Sequence, residues 1–369
     1  MKIIMKKNVI IFIPSIEDGG VEKNLYEVSN YLTKNNINLE ILTTNNNMSF
    51  KFLKNIKFIG TKNPFWHNKS RYIKYFISLL ILFFTLFNRK KKPLVFAFQA
   101  NIYAIIVAKI LNVKIITRSN SAPSGWSQNY IKNFIYKFFI KFANDIMVNS
   151  IEFKKTFEMK YKVKVDCIYN PFNKDFILKR IKDKKKIIFF EKKYLNIISV
   201  GRLADQKDHL TLIKSIKLLK PNFKIKVIII GKGNTKETLK KYIIDNNLKD
   251  KIKLFGYTNN PFPYVQKADI VVLTSKFEGL PNILLEAQYL KKYIISTNCP
   301  TGPKEILLNG RAGDLIKIGD YKKLSLLIKS YSNRKKSIFT KINIGYKNFY
   351  RFDYNLNCKK YLNFINKNY

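Results

Sequence analysis

Short apolar runs rich in β-branched residues recur along the second half of the chain, and helix-like segments separate them. Runs of this kind are typical of strands buried on both faces of a parallel sheet. Strands that alternate with helices predict a doubly wound α/β domain. The predicted strands are 196–200, 226–231, 252–257, 269–274 and 293–297, and the predicted helices are 208–220, 235–247, 281–291 and 303–309.

The first half repeats this alternation with weaker signals. Strands are predicted at 8–14, 38–44, 94–99, 114–119, 145–150 and 165–170, and helices at 21–34, 70–87, 101–111 and 130–142. The length of 369 residues suits two domains of roughly 150 residues each. We therefore predict an α/β protein of two Rossmann-like domains facing a central cleft, with ligands beyond the carboxyl ends of the strands.

The domain boundary is expected near Pro171, because proline cannot donate to a central sheet and a charged stretch follows it. We predict an N-terminal domain at 1–172, a basic linker at 173–194 and a C-terminal domain at 195–345. A C-terminal helix is expected at 346–369, for which packing against the N-terminal domain is one option.

The formal net charge is +45, from 69 Lys+Arg against 24 Asp+Glu, and only eight of the basic residues are Arg. A nucleic-acid reader would use Arg for forked contacts, so we expect no nucleic-acid partner. A surface this basic would attract anionic lipid or phosphorylated substrates. Abundant Lys, Asn and Ile also indicate AT-rich coding, which is an alternative origin of the charge.

The cysteines indicate a reducing compartment. The apolar segments are too short to predict a membrane-spanning helix. Cys167, Cys299 and Cys358 are far apart and lack CxxC spacing, so neither a disulfide framework nor a zinc site is expected. The apolar run at the start of the sequence is short, and acidic residues follow it directly. This pattern favours a strand over a signal peptide. The longest apolar run, 76–87, falls short of the ~20 residues of a spanning helix. We expect a cytoplasmic protein, with the membrane's inner face as an option.

Two carboxylates flank a Gly-Leu-Pro turn that directly follows the predicted strand 269–274. Glu278 precedes the turn and Glu286 lies in the predicted helix after it. A helix N-terminus offers N–H groups to a phosphate, and carboxylates accept hydrogen bonds from sugar hydroxyls. Alternatively, Glu278 is a loop carboxylate and Glu286 a solvated helix residue. The turn consists of Gly279, Leu280, Pro281 and Asn282.

Two cations follow the predicted strand 196–200. Gly201 ends that strand, and Arg202 and Lys207 precede the next helix. The forked guanidinium of Arg202 and the point charge of Lys207 suit a diphosphate at this edge of the sheet. Arg202 is the stronger indication of such a site, because Arg is scarce in this chain. His209 is expected to be a surface residue at the start of that helix.

Glycine pairs after two other strands are weaker signals. Gly231 and Gly233 form a Gly-x-Gly without the third glycine of a dinucleotide motif. Gly19 and Gly20 precede the first predicted helix, where close backbone approach and free N–H groups suit an anion. In both places a tight strand-to-helix turn without a ligand is the alternative.

The stretch "SKFEGLPNILLEA" resembles the Glu-x7-Glu motif of glycosyltransferase family 4, which comprises retaining, nucleotide-sugar-dependent enzymes of the GT-B fold. Further stretches resemble the family in its order and extend the resemblance over 13–320. They are "GGVEKNLYEVSNYL", "ANDIMVNSIEFKKTF", "VDCIYNPF", "VGRLADQKDHLTLI" and "TNCPTGPKEILLNGRAGDLIKIGD".

The resemblance implies roles for these residues. Arg202 and Lys207 would neutralise the donor diphosphate and form the catalytic set with Glu278, which grips the donor sugar. Glu286 would hold the ribose. The remaining donor-binding positions are Gly279, Leu280, Pro281, Asn282, Gly231 and Gly20. Retaining transfer by same-face attack is implied, and neither cofactor nor metal is expected because the sequence has no Asp-x-Asp.

The acceptor side departs from the family pattern. Many members carry a histidine after a strand of the N-terminal domain, whereas "VFAFQANIY" has Gln99 and Asn101 there. Candidate acceptor residues are Gly19, Asn101, Arg118 and Asn120. The last two lie in 117–125, "TRSNSAPSG", for which an ordinary polar loop is nearly as good an interpretation.

The resemblance implies a transferase that moves a hexose or N-acetylhexosamine from a nucleotide sugar, with UDP favoured, to a lipid-linked or cell-surface glycan. Basic aromatic segments beside 76–87 would contact an anionic membrane, as in members with lipid-linked acceptors. One alternative is a nicotinamide oxidoreductase, which lacks its full motif here. Another is a non-catalytic membrane-surface or nucleic-acid binder, which leaves the glutamate pair without a purpose.

Overall fold

The computed structural model describes residues 7–16, 19–44, 49–61, 64–66, 69–120, 130–182 and 188–369. The chain divides into two compact units. Unit 1 comprises Met1–Pro171 and Tyr354–Tyr369, and unit 2 comprises Phe172–Asp353.

The described part of unit 1 contains one sheet of seven parallel strands. They are β1 Lys7–Phe12, β2 Ile37–Leu42, β3 Lys57–Ile59, β4 Leu94–Ala97, β5 Ile115–Ser119, β6 Asp145–Val148 and β7 Asp166–Cys167. Their order across the sheet is β3-β2-β1-β4-β5-β6-β7. The central strands are buried along their length, as expected for a parallel sheet covered on both faces.

Helices cover both faces of this sheet. They are α1 Gly20–Lys34, α2 Arg71–Phe87, α3 Asn101–Ile110, α4 Tyr130–Phe139 and α5 Ile151–Tyr161. Successive strand residues point to opposite faces. Val9 and Ile11 of β1 therefore pack in the same cluster as α1, whereas Ile10 and Phe12 pack in the cluster that holds α2, α3 and α5.

Unit 2 has the same architecture with six parallel strands in its described part. They are β8 Leu195–Val200, β9 Ile225–Ile230, β10 Ile252–Gly256, β11 Ile270–Leu273, β12 Tyr293–Thr297 and β13 Asp314–Ile316. Their order is β10-β9-β8-β11-β12-β13. The helices are α6 Lys174–Ile181, α7 His209–Lys217, α8 Lys236–Asp245, α9 Phe262–Lys267, α10 Asn282–Tyr289, α11 Pro303–Ile306, α12 Tyr321–Lys329 and α13 Lys335–Lys347. The predicted pair of Rossmann-like units is thus confirmed.

The last helix, α14 Tyr354–Asn368, belongs to unit 1. It contacts α1, and its Tyr361, Phe364 and Ile365 lie in the same apolar cluster as β1. The end of the chain therefore completes the core that the first strand begins. This helix occupies most of the stretch 346–369.

The stretch 173–194 is partly folded into unit 2. Asn173 caps α6 by accepting from the Phe176 amide, and α6 packs against α9. Arg180 donates through Nη2 to the Asn259 carbonyl at 2.6 Å. Residues 183–187 of the expected linker lie outside the described residues.

Both sheets reverse their strand order once near the middle. The reversal falls between β1 and β4 in unit 1 and between β8 and β11 in unit 2. Ligands of open α/β sheets bind at such switch points, beyond the carboxyl ends of the strands. The loops that follow β8 and β11 carry the predicted cations and Glu278.

Candidate active site

The loops that leave β8 and β11 are bonded to each other at the carboxyl edge of unit 2. Thr274 Oγ1 donates to the Lys207 carbonyl at 3.0 Å, and the Lys276 amide donates to the Gln206 carbonyl at 2.8 Å. Gln206 Nε2 donates to the Phe277 carbonyl at 2.9 Å. These bonds hold the two loops in a fixed relation, so side chains on both can act on one ligand.

An ion pair joins the two loops. Lys207 Nζ lies 2.5 Å from Glu278 Oε1, and Ser275 Oγ donates to the same oxygen at 2.6 Å. Only 7% of Glu278 is exposed. A buried carboxylate requires such partners, because an isolated charge away from water is costly. Two members of the predicted catalytic set, Lys207 and Glu278, are therefore in contact.

The backbone of Glu278 is braced from a third loop, which follows β12. The Glu278 amide donates to the Pro300 carbonyl at 3.2 Å, and Thr301 Oγ1 donates to the Glu278 carbonyl at 2.7 Å. A Cβ at Gly302 would lie 2.2 Å from the Gly279 carbonyl oxygen, so only glycine allows this approach. The backbone at 278–279 is thus held by the loop that follows β12.

Helix α10 presents its N-terminus directly after this turn. Pro281 occupies the N-cap position, and a proline side chain has no group that could cap the first amides. Glu286 lies within the helix and is 6% exposed. The alternative of a solvated Glu286 is therefore excluded, while its predicted contact with ribose stays a prediction.

Arg202 lies on the exposed side of the β8 loop. Its Nη2 is 3.4 Å from Gln206 Oε1, and the guanidinium faces solvent. The exposed Arg202 guanidinium, on the same loop as Lys207 of the ion pair, gives the carboxyl edge of this sheet an accessible positive charge. A phosphate could reach it without disturbing the core.

The glycines after β8 and β9 allow their loops to pack closely. A Cβ at Gly231 would lie 1.8 Å from the Gly201 carbonyl oxygen, and one at Gly233 would lie 2.1 Å from the Leu203 carbonyl oxygen. The Gly-x-Gly spacing is accounted for by this contact with the β8 loop. Gly231 therefore borders the loop of Arg202 and Lys207, and its predicted contact with the donor stays a prediction.

His209 is not a surface residue, contrary to the prediction. It is 3% exposed, with Nδ1 3.2 Å from Ser199 Oγ and Nε2 3.2 Å from the Arg202 carbonyl oxygen. Burial, and then the charge of Lys207, lower the pKa of His209 to about 4. The cause is its place as the first residue of α7, where the side chain turns inward beneath the β8 loop. The preceding Asp208, an N-cap residue, was the sequence signal for this position.

In unit 1, the glycine pair lies at the start of α1. Gly19 is the N-cap residue and Gly20 the first helical residue. A Cβ at Gly19 would lie 2.6 Å from Glu22 Oε2, so glycine leaves room for that carboxylate. The preceding Glu17 and Asp18 lie outside the described residues.

The other acceptor candidates form one polar network. Arg118 is 1% exposed and lies within β5. Its Nη1 donates to Asn120 Oδ1, its Nη2 to Asn170 Oδ1 at 2.8 Å, and its Nε to the Tyr361 hydroxyl at 2.8 Å. Asn101 Nδ2 donates to the Arg118 carbonyl at 3.1 Å. Arg118 thus ties β5 to α14, and its role toward an acceptor stays a prediction. Residues 121–125 of the predicted loop lie outside the described residues.

The model of the family described as "Glycosyl transferases group 1" matches residues 180–340. An uncharacterized glycosyltransferase of Methanocaldococcus jannaschii is 35% identical over 239 residues, which are 60% of this chain and 57% of that protein. A diphospho-undecaprenol 4-alpha-N-acetylgalactosaminyltransferase of Campylobacter jejuni is 25% identical over 91% of this chain and 96% of its own length. The chain is thus similar to the glycosyl transferases group 1 within unit 2, which contains the whole matched range.

The solved structures confirm the predicted GT-B fold class. HepE of Anabaena, crystallised with UDP, superposes with a TM-score of 0.78 at 16% identity and covers 98% of this chain and 100% of its own. At this identity the likeness shows the fold alone. The Glu278 and Lys207 loops fall inside the region that the family model matches.

Two further findings concern metal binding and membrane-spanning helices. Within the described ranges, no three His, Cys, Asp or Glu side chains are grouped so that they could hold a metal ion. Nor does any helix in the part of the chain that the structure describes have both the length and the apolar character needed to cross a membrane.

Proposed function

We propose that the chain transfers a sugar from a nucleotide sugar bound at the β8/β11 edge of unit 2. One observation carries the proposal: the Lys207–Glu278 pair joins two hydrogen-bonded loops, one of which carries the exposed Arg202 while the other leads into the N-terminus of α10. Cations and helix N-termini stabilise the charge that grows on a departing diphosphate. UDP is the favoured nucleotide, because HepE has been crystallised with both UDP and UDP-glucose.

In this proposal each acidic residue grips hydroxyl groups. Glu278 binds the donor sugar together with the 279–282 backbone, and Glu286 binds the ribose, since carboxylates accept paired hydroxyl donors. Attack from the face that the nucleotide leaves would retain the anomeric configuration. Arg202 and Lys207 supply positive charge, so we propose that no metal or further cofactor is required.

We further propose a lipid-linked or surface glycan as acceptor. The Campylobacter jejuni relative, which matches almost the whole chain, is named for a diphospho-undecaprenol substrate and an N-acetylgalactosaminyl transfer. A second relative from that organism has a similarly named lipid-linked substrate. An N-acetylhexosamine is therefore favoured over a plain hexose.

Peripheral contact with an anionic membrane would bring the enzyme to such an acceptor, and unit 1 has a surface suited to it. Phe76, Leu80, Phe84 and Phe87 are exposed along one face of α2, beside an open, mostly apolar groove of about 980 Å³. Along α4 the exposed residues include Tyr130, Phe134 and Phe138. Helix α3 contacts both helices, so the two stripes belong to one helical layer.

Exposed lysines flank these apolar stripes. They include Lys90 and Lys91 after α2 and Lys137 within α4. Apolar insertion combined with lysine charge is how a protein binds an anionic membrane surface.

Vesicles of phosphatidylglycerol should therefore retain the protein, and vesicles of phosphatidylcholine should not. Replacement of Phe134 and Phe138 by Ser should weaken retention, and equal retention of both proteins would refute this surface.

Calorimetric titration with UDP, GDP and ADP tests the donor site, followed by turnover with the matching nucleotide sugars. We expect UDP to bind most tightly and Glu286→Ala to weaken both binding and turnover. The matched control is Glu305→Ala, which removes a carboxylate from α11. Absence of binding to every nucleoside diphosphate would overturn the proposed function.

A further inference from the structure

His209 occupies a buried position between β8 and the loop that carries Arg202. Its ring lies 3.2 Å from Ser199 Oγ on β8 and 3.2 Å from the Arg202 carbonyl oxygen in the loop. The side chain therefore links the sheet to the backbone of the exposed arginine. No donor-site role assigned so far uses it.

The chemistry of the two neighbours fixes the tautomer of the ring. A carbonyl oxygen can only accept, so Nε2 carries the hydrogen and donates to Arg202. Nδ1 then accepts from the Ser199 hydroxyl, which can rotate to donate. A neutral imidazole satisfies both groups. Burial and the nearby Lys207 lower the pKa of His209 to about 4, so this hydrogen-bonding state is constant around neutral pH.

The backbone of Arg202 is the part of that residue which the protein holds firmly. Its carbonyl accepts from His209 Nε2 and also from the Ala204 amide at 2.9 Å. The guanidinium is exposed and has a 3.4 Å contact with Gln206. The direction in which the Arg202 guanidinium points is thus set mainly by the position of the Arg202 backbone.

We propose that His209 is a positioning residue for donor binding, which acts by holding the Arg202 backbone so that the guanidinium meets the diphosphate. This inference rests on the proposed function and adds a residue to it. His209 touches no reacting atom. Its contribution is the orientation of a cation that does.

Three variants test this role. His209→Leu removes both hydrogen bonds at similar volume, and we expect the Kd for UDP and the KM for the donor sugar to rise about tenfold, with a smaller change in kcat. His209→Gln keeps a side-chain N–H that can reach the carbonyl and should stay within about threefold of the unaltered enzyme. Ser199→Ala removes only the bond to Nδ1 and is the matched control, with near-unaltered KM.

A double-mutant cycle separates positioning from general stability. If His209 acts through Arg202, His209→Leu should have no further effect on UDP binding in an Arg202→Ala background. A tenfold loss in both backgrounds, or a lowered Tm with unaltered Kd for UDP, would overturn the inference and indicate a structural role only.

The same data distinguish this inference from the function on which it rests. If the unaltered enzyme binds no nucleoside diphosphate, both fail. If UDP binds and Arg202→Ala weakens it, while His209→Leu binds as tightly as the unaltered enzyme, the proposed function stands and the role of His209 is refuted.

Discussion

Each unit holds a cation near the carboxyl edge of its sheet, fully buried for Arg118 and half-buried for Lys207, and the two cations have different partners. Arg118 in unit 1 is bonded to neutral groups: two asparagines and the Tyr361 hydroxyl. Lys207 in unit 2 is paired with a buried carboxylate. The first arrangement satisfies every arm of a guanidinium within the fold. The second holds an ion pair next to an exposed arginine.

The difference gives a way to test which of the two charges serves the fold and which serves ligand binding. Arg118 joins β5 to α14, elements that lie far apart in sequence, and its bonds are made within unit 1. The Lys207 pair joins two adjacent loops at a switch point, where ligands of this fold bind. We therefore expect changes at Arg118 to affect stability and changes at Lys207 to affect turnover as well.

Loss of Lys207 should have the largest effect. Lys207→Met leaves Glu278 buried without its cation, which should lower the free energy of unfolding by about 3–5 kcal/mol. Removal of charge from the diphosphate site should lower kcat by roughly 10²–10³. Urea unfolding and donor turnover measure the two effects.

The control for Lys207 is the double variant Lys207→Met with Glu278→Gln, which removes both charges. Stability should largely return while turnover stays low. If the double variant regained turnover as well, the ion pair would be structural, like Arg118, and the contrast between the units would disappear.

Arg118→Met should be the next largest change, with a loss of about 3 kcal/mol, because three polar partners lose their donor while the desolvation cost of the buried guanidinium is also removed. Tyr361→Phe removes one partner and should cost about 1 kcal/mol. Urea unfolding gives both values, and calorimetry should show an unchanged Kd for UDP. A weakened affinity in correctly folded Arg118→Met would contradict the structural assignment.

The sequence predicted the fold well because its strongest signal, buried β-branched strands between helices, is local. Every predicted strand of unit 2 is present, and the unpredicted β3 and β13 have three residues each, too few for a pattern. Packing of the last helix against the N-terminal domain was only one option at the level of sequence, because the contact of α14 with β1 depends on packing between segments that are far apart in the chain.

At the site, sequence reasoning found residues whose type is rare or whose spacing is unusual. Glu278 and Arg202 stood out for these reasons. His209 was misplaced because helix position alone did not show that its side chain turns under the β8 loop. Arg118 was chosen for its place at the end of a predicted strand, but the three bonds of its guanidinium are tertiary contacts that no local pattern reveals.

A third prediction uses pH to separate the two units further. The pKa of His209 is about 4 when folded and 6.5 as its ordinary value, so the unfolded chain binds more protons between these values. Stability should therefore rise with pH across pH 4–6.5 and be fully present above it. The gain should be at most about 3.4 kcal/mol, at 1.36 kcal/mol per pKa unit for a shift from 6.5 to about 4.

The measurement is the urea unfolding free energy of the unaltered protein and His209→Gln at several pH values. The variant should show a shallower slope in this window, and the two slopes should coincide above pH 7. Arg118→Met should keep the full slope, since its guanidinium does not titrate there. Parallel curves for the unaltered protein and His209→Gln would refute a buried neutral imidazole.

The smallest expected effect concerns the brace behind Glu278. Thr301 has a φ of 61°, which is unfavourable for a β-branched residue, and its hydroxyl donates to the Glu278 carbonyl. Thr301→Val keeps the shape and removes the bond, so stability should fall by about 1 kcal/mol and kcat by a few-fold. Thr301→Ser keeps the hydroxyl and should behave like the unaltered enzyme. Thr301→Gly removes the backbone strain of the positive φ and also removes the hydrogen bond to the Glu278 carbonyl. If its kcat matched that of Thr301→Ser, the hydroxyl would have no part in holding Glu278, and unit 2 would rely on its ion pair alone.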